Sequence, residues 1–241
     1  MRNLIAVTVG DIEGIGIHLL IKEFNNNKIN NFILFTNLEL FRNNIKFPKN
    51  KINLIKDNFF DNYKKNKLNI YNYETKNKFS NTLDSLEIAY KFTRKRIFIG
   101  IITLPLNKNK INQSIDKKFI DQTNFFSNKE KQKYSNMVFY YKNKFFIPIT
   151  MHIELKNVYK FFKKKETTIY KIDNLLYTLK KDFKINKPKL ILAGINPHAG
   201  ENNTISYDEF KYLKPITDHF KKKNIHITGP ISGDGIINKE N

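Results

Sequence analysis

The alternation of apolar runs with helical periods is what most constrains the fold of this chain. "LIAVTV" from Leu4, "FILFT" from Phe32, "IFIGIIT" from Ile97, "FFIPITM" from Phe145 and "KLILAG" from Lys189 are short runs rich in Ile, Val and Phe. They are apolar at successive positions, the pattern of strands covered on both faces by helices. Between them, "SNTLDSLEIAYKFTRK" predicts a helix with Leu83, Leu86 and Tyr90 on its apolar stripe and Ser80 or Asn81 as its N-cap. "TTIYKIDNLLYTLKKDF" predicts another, with Ile169, Ile172, Leu176 and Leu179 on one face and lysines near its end. A third, "SYDEFKYLKPITDHFKKK", should be interrupted or kinked at Pro215. The fold class that follows is α/β, a mainly parallel sheet with flanking helices. The Asn/Lys-rich region from Phe41 to Lys78 holds weaker strand signals at "KINLI" and "KLNIYNY". No repeat is visible, and no Pro- or Gly-rich linker places an internal domain boundary.

A chain of 241 residues can bury a substantial core. No stretch approaches the roughly 18 uninterrupted apolar residues of a membrane span. The start, "MRNLIAVTVGDIEGIG", has a six-residue apolar run followed by an acidic residue, and it reads as a first strand and not as a secretory signal. Cysteine is absent, which excludes disulfides and thiolate metal sites within these residues. A cytoplasmic protein is the expectation, by elimination. The net charge of +21 raises the question of nucleic acid. However, 39 of the 43 basic residues are Lys and only four are Arg, in a chain that also holds 34 Asn and 34 Ile. All three abundant residues use A/T-rich codons, so base composition accounts for them together. The lysines are scattered, whereas nucleic-acid binders favour Arg clustered on one element. A solvated, lysine-rich surface is the expectation, with no nucleic-acid partner.

In parallel sheets ligands gather at the carboxyl ends of the strands. After "LIAVTV" comes Gly10-Asp11-Ile12-Glu13-Gly14-Ile15-Gly16, where glycines let backbone N–H groups approach an anion at a helix start. The spacing is not G-x-G-x-x-G, and a tight turn explains the loop equally well. Asp11 and Gly14 are its candidate contacts. After "IFIGIIT" comes "LPLNK", whose Lys108 could act as a point charge for phosphate or carboxylate. His152 follows "FFIPIT", and His198 sits in "LAGINPHAGE" after the last run. Two strand-end histidines are consistent with neutral imidazoles converging on one divalent metal, although a catalytic site normally takes three protein ligands. His18, His219 and His226 lack turn chemistry around them and read as structural or surface residues.

Taken in order, these motifs resemble those of 4-hydroxythreonine-4-phosphate dehydrogenase, an enzyme of pyridoxal phosphate biosynthesis. "VTVGDIEGIG" is similar to the family's "T-x-G-D-P-x-G-I-G-P-E", "GIITLPLNK" to "T-x-P-x-N-K", and "ITMHIELKNV" to "T-T-H-x-x-L-x-x-V". "LAGINPHAGE" resembles "L-x-G-L-N-P-H-A-G-E", and "GPISGDGII" resembles "G-P-x-x-A-D-T-x-F", which makes Asp234 a further loop contact. The resemblance implies the fold of isocitrate and isopropylmalate dehydrogenases, in a homodimer with active sites at the subunit interface. It implies NAD-dependent oxidation of the secondary hydroxyl of 4-phosphooxy-L-threonine, a small phosphorylated amino acid. Loss of carbon dioxide from the β-keto acid then gives 3-amino-2-oxopropyl phosphate. A divalent metal (zinc, or cobalt, magnesium or manganese) would polarise the developing carbonyl. His152 and His198 would be its ligands. Thr123, in "DQTNFF", stands where the family has "G-H-T-E" and would contact the substrate phosphate beside Gln122. No catalytic acid or base is identified.

Departures from the family pattern set the alternatives. Gln122 replaces the family's His and Asn124 its Glu; Gln can donate to phosphate but carries no charge. Ile12 replaces Pro, and Ile17 and His18 stand where Pro-Glu is usual. The 241 residues end before the family's "Y-H-D-Q" motif, which holds a third metal histidine, and before "D-H-G-T-A". The expectation is an incomplete dehydrogenase-like chain that is inactive alone. The alternatives are a non-catalytic ligand-binding protein on the same fold, and a dehydrogenase of another phosphorylated hydroxy acid.

Overall fold

Ile5–Thr8 (β1) and Phe32–Phe35 (β2) are the most deeply buried of the apolar runs, and they pair in parallel at the heart of a five-stranded sheet. The computed structural model describes residues 3–56, 58–132, 134–151, 153–201 and 204–237. The chain divides into two units, Met1–Gln132 and Lys133–Asn241.

In the first unit the sheet is completed by β3 (Ile52–Ile55), β4 (Leu68–Tyr71) and β5 (Ile101–Thr103), in the order β3-β4-β2-β1-β5, every pair parallel. Successive side chains alternate between two cores, as the pleat requires. Val7, Phe32 and Leu34 pack on one face with Ile17 and Ile21 of α1 (Ile15–Asn25) and Phe41 of α2 (Leu38–Asn44). Ala6, Ile33 and Phe35 pack on the other with Phe59 of α3 (Phe59–Asn62) and Ala89 of α4 (Lys78–Arg94). Aromatic edges knit this second core, with the Phe59 and Phe92 rings 4.8 Å apart and nearly perpendicular. Both weak strand signals of the Asn/Lys-rich region therefore form strands, β3 and β4.

Two expectations for this unit need correction. The N-cap of α4 is Asn77, whose side chain accepts from the N–H groups of Phe79 and Ser80. The expected cap Asn81 instead lies inside the helix, wholly buried, and joins three elements: its Oδ1 accepts from the Asn37 N–H and the Tyr73 hydroxyl, and its Nδ2 donates to Thr36. The run "IFIGIIT" yields only three residues of strand, because Arg96 adopts a left-handed turn and Ile97–Gly100 lead into the sheet. The stripe on α4 does pack as expected: Leu83 and Leu86 meet Ile111 of α5 (Lys108–Ser114), Phe119, and Phe125 and Phe126 of α6 (Gln122–Lys129).

The second unit begins with an antiparallel hairpin, β6 (Phe139–Tyr141) and β7 (Lys144–Phe146), turning through left-handed Lys142 and Asn143. This corrects the reading of "FFIPITM" as a buried parallel strand. Only its first two residues are in a strand, that strand is partly exposed, and Pro148 has no N–H with which to extend the ladder. Helices α7 (Val158–Phe162) and α8 (Lys165–Lys181) follow, then β8 (Leu190–Ala193) paired in parallel with β9 (Ile227–Ile231). Between those strands, Glu209–Leu213 form one π-helical turn that passes into α9 (Lys214–Lys222) with Pro215 at its second residue. That is the predicted interruption: proline cannot donate an intrahelical bond but is tolerated in the first turn of a new helix. Ile172, Leu192, Leu213, Ile216, Phe220 and Ile227 form this unit's core. The last described element is α10 (Gly233–Ile237). Among the described residues no helix is long and apolar enough to cross a membrane.

Candidate functional site

Each unit presents a carboxyl edge where sequence motifs meet. In the first unit, the β1–α1 loop is stapled to the loop after β5. The Asp11 N–H donates to the Pro105 carbonyl at 2.9 Å. Gly10 makes this approach possible: its φ is +63°, and a Cβ there would stand 2.4 Å from the Pro105 oxygen. The buried Thr82 hydroxyl of α4 donates to the Gly10 carbonyl at 2.6 Å and fixes the loop from below. The Asp11 carboxylate accepts from the Glu13 N–H at 3.1 Å and lies 4.0 Å from the Lys110 ammonium. Glu13 binds Lys78 at 2.8 Å and lies 3.7 Å from Lys110, and these cations hold its carboxyl below the usual range. Gly14 N–H closes the turn onto the Asp11 carbonyl. The acidic groups of this loop are thus engaged by the protein's own lysines and backbone.

At the end of β5 the structure brings together three residues singled out from the sequence. Asp121 caps α6 by accepting from the Asn124 N–H at 2.7 Å. Gln122 follows it and donates its side-chain amide to the Leu104 carbonyl at 2.9 Å, tying α6 to the strand end. Lys108 begins α5 after the cap Asn107, and its ammonium stands 4.0 Å from the Asp121 carboxylate. Thr123 is exposed in the first turn of α6, next to Gln122. The result is a lysine charge, an amide and a free-facing hydroxyl at one strand end, near the positive end of a helix.

In the second unit, β8 runs into the turn that carries His198. Asn196 Oδ1 accepts from the His198 N–H at 2.9 Å, and the Asn196 N–H donates to Glu209 at 2.8 Å. The loop after β9 joins it, since the Gly233 N–H donates to the Pro197 carbonyl at 3.0 Å and the Gly194 N–H to Ile231 at 2.8 Å. The structure therefore places Asp234, exposed on α10, on the strand end beside the His198 turn. Gly200, at φ +71°, closes the turn where a Cβ would meet the Ser206 carbonyl at 2.5 Å. The His198 side chain is exposed.

His152 lies outside the described residues. Among those described, no group of three His, Asp or Glu side chains is arranged to hold a metal ion. His198 supplies one imidazole, whereas catalytic metal sites take three protein donors, so these residues alone do not build the centre. Of the other histidines, His18 and His226 are exposed and His219 packs edge-on against Phe220, as read. Sequence reasoning missed Glu209, the buried carboxylate under the His198 turn. Its signal was faint: an acidic residue inside an apolar helical stripe.

The family model described as "Pyridoxal phosphate biosynthetic protein PdxA" matches residues 28–241. The chain belongs to this family. It is 27% identical over 252 residues to the 4-hydroxythreonine-4-phosphate dehydrogenase of Sulfurihydrogenibium sp. (strain YO3AOP1), covering 98% of this chain and 76% of that protein. A shorter match to the enzyme of the same name from Zymomonas mobilis reaches 35% over 91 residues, 38% of this chain and 27% of the other. The crystal structure of the Klebsiella pneumoniae 4-hydroxythreonine-4-phosphate dehydrogenase superposes with a TM-score of 0.80 at 23% identity, over 98% of this chain and 76% of that one. The fold of the PdxA family, α/β with a mainly parallel sheet and flanking helices, is thus the fold of this chain.

Proposed function

We propose that the chain serves the NAD-dependent, divalent-metal-assisted oxidation and decarboxylation of 4-phosphooxy-L-threonine to 3-amino-2-oxopropyl phosphate, as a cytoplasmic homodimer in pyridoxal phosphate biosynthesis. The observation that carries the reading is the gathering of Lys108, Gln122 and Thr123 at the end of β5 in a member of the PdxA family. In this reading the Thr123 hydroxyl donates to a phosphate oxygen, and Gln122 adds the amide hydrogen that Leu104 leaves free. Lys108 contributes a mobile positive charge, which a dianionic phosphate would draw away from Asp121.

When bound, NAD would supply the oxidant, taking a hydride from the substrate's secondary carbinol while the hydroxyl proton passes to solvent, and the product would be a β-keto acid. The bond to the carboxylate then breaks, carbon dioxide departs, and the resulting carbanion takes a proton. His198, with His152, would hold the metal, which when bound polarises the oxygen at the reacting carbon.

Gln122 favours a second reading, binding without turnover. A neutral amide already committed to a backbone carbonyl cannot assume the positive charge a histidine would bring to the phosphate. Both readings share one first test, the mapping of backbone-amide NMR shifts on adding 4-phosphooxy-L-threonine. Shifts at Lys108, Gln122 and Thr123 that threonine does not produce support the substrate class. Shifts absent from these residues reject it.

A further inference from the structure

Glu209 is 3% exposed, within the π-helical turn that precedes α9. A buried carboxylate is expensive unless its oxygens are satisfied, and this one is only half so. Oε1 accepts from the Asn196 N–H at 2.8 Å. Oε2 has no hydrogen-bond partner among the described residues and points at Gly200, where a Cβ would stand 2.8 Å from it. The two oxygens therefore face the two ends of one short turn, Asn196 and Gly200, and His198 lies midway between them. Asn196 extends the contact, since its own Oδ1 accepts from the His198 N–H. The main chain of His198 is thus held through a relay from Glu209 to Asn196 while its ring stays exposed.

We infer that Glu209 is a positioning residue for His198: its carboxylate is the buried post on which the turn is built, and it sets where the imidazole is presented. The inference rests on the reading of His198 as a metal donor only for its consequence; the relay itself is independent of that reading. The absence of a side chain at Gly200 fits the same account, because any Cβ would displace the carboxylate. Orienting groups behind a ligand histidine typically change metal affinity by about 10- to 100-fold.

The experiment compares wild type, Glu209→Gln, Glu209→Ala and Asn196→Ala in two measurements, amide hydrogen exchange without metal and calorimetric titration with zinc ion alone. In Glu209→Ala the Asn196 and His198 amides should exchange about tenfold faster, and zinc affinity should fall about tenfold or more. Glu209→Gln keeps a carbonyl oxygen for the Asn196 N–H and should restore both, a rescue that general destabilisation would not give. If Glu209→Ala does not fold, Asn196→Ala decides, because it leaves the carboxylate in place and removes only the acceptor for His198; its His198 amide should exchange faster. Unchanged exchange at His198 in a folded Glu209→Ala or Asn196→Ala protein overturns the inference. Absence of zinc binding by wild type would count against the metal reading, while the exchange data would still decide the relay.

Discussion

The side-chain amide of Gln122 lies 2.9 Å from the Leu104 carbonyl, so the start of α6 is tied to the end of β5 by one hydrogen bond. Removing it in Gln122→Ala should lower stability by about 0.5–1.5 kcal/mol. The same change should weaken binding of 4-phosphooxy-L-threonine, because Thr123 is displayed from the turn this bond anchors. Denaturant unfolding and calorimetry on the one variant check both. A loss of stability with unchanged binding would confine Gln122 to a structural role.

Gly10 carries a sharper steric demand. With φ at +63° and the Pro105 oxygen 2.4 Å from a built Cβ, Gly10→Ala has no room in the loop. Destabilisation of about 1–3 kcal/mol is expected from the overpacking, measured by denaturant unfolding. Gly100, around whose built Cβ nothing lies within 4 Å, is the control, and Gly100→Ala should be nearly neutral by comparison.

Asn81 binds three elements from inside α4, and truncation to Ala would leave the Asn37 N–H without its acceptor and take from the Thr36 hydroxyl its donor, while the Tyr73 hydroxyl keeps the Asn81 backbone carbonyl at 2.9 Å. Each buried group so orphaned costs about 1–3 kcal/mol. Asn81→Ala should therefore destabilise the first unit more than Asn77→Ala, which removes an exposed cap worth about 1 kcal/mol. The reverse ranking would show that the hub is less buried in solution than its contacts imply.

The contrast between these two asparagines shows what the sequence could reveal. Both are competent caps, and the apolar stripe locates the helix without saying which residue lies outside it. Long, strongly apolar runs such as β1 and β2 were legible because burial on both faces leaves a continuous pattern. The hairpin β6–β7 was not, because its aromatic residues mimic a buried strand while its pairing depends on the left-handed turn at Lys142 and Asn143. Nor was β9, where Gly229 and Pro230 interrupt any strand pattern and a cis peptide bond joins them. At the candidate site, Lys108, Gln122, Thr123 and His198 came from motifs, but their contacts required tertiary structure. Glu209 carried no motif signal, and only its burial beneath Asn196 gives it a role.

Lys171 provides a pH test. Its ammonium is buried on α8 and donates to the Ile149 carbonyl at 2.6 Å; burial holds its pKa below the ordinary 10.5. The unfolded chain therefore binds more protons between the folded pKa and 10.5, and stability from this group rises with pH through that window. Tyr73 works in the opposite sense. Burial, aided by the Asp84 charge, raises its pKa well above 10.0, so its contribution is lost as pH climbs past that value. The informative quantity is thus the difference between wild type and Lys171→Met. Wild type should gain on the variant as pH approaches 10.5, measured by denaturant unfolding across alkaline pH. A constant difference would mean that Lys171 is solvated.

The proposed chemistry turns on whether the exposed hydroxyl of Thr123 reads a substrate phosphate. Calorimetric titration of 4-phosphooxy-L-threonine into wild type and Thr123→Val, with NAD and manganese present, measures this directly. The account predicts saturable binding by wild type, none for threonine lacking the phosphate, and a loss in Thr123→Val of about 1.5–3 kcal/mol, the value of a hydrogen bond to a charged group. Equal affinity of the two proteins, or equal affinity for threonine, would contradict it.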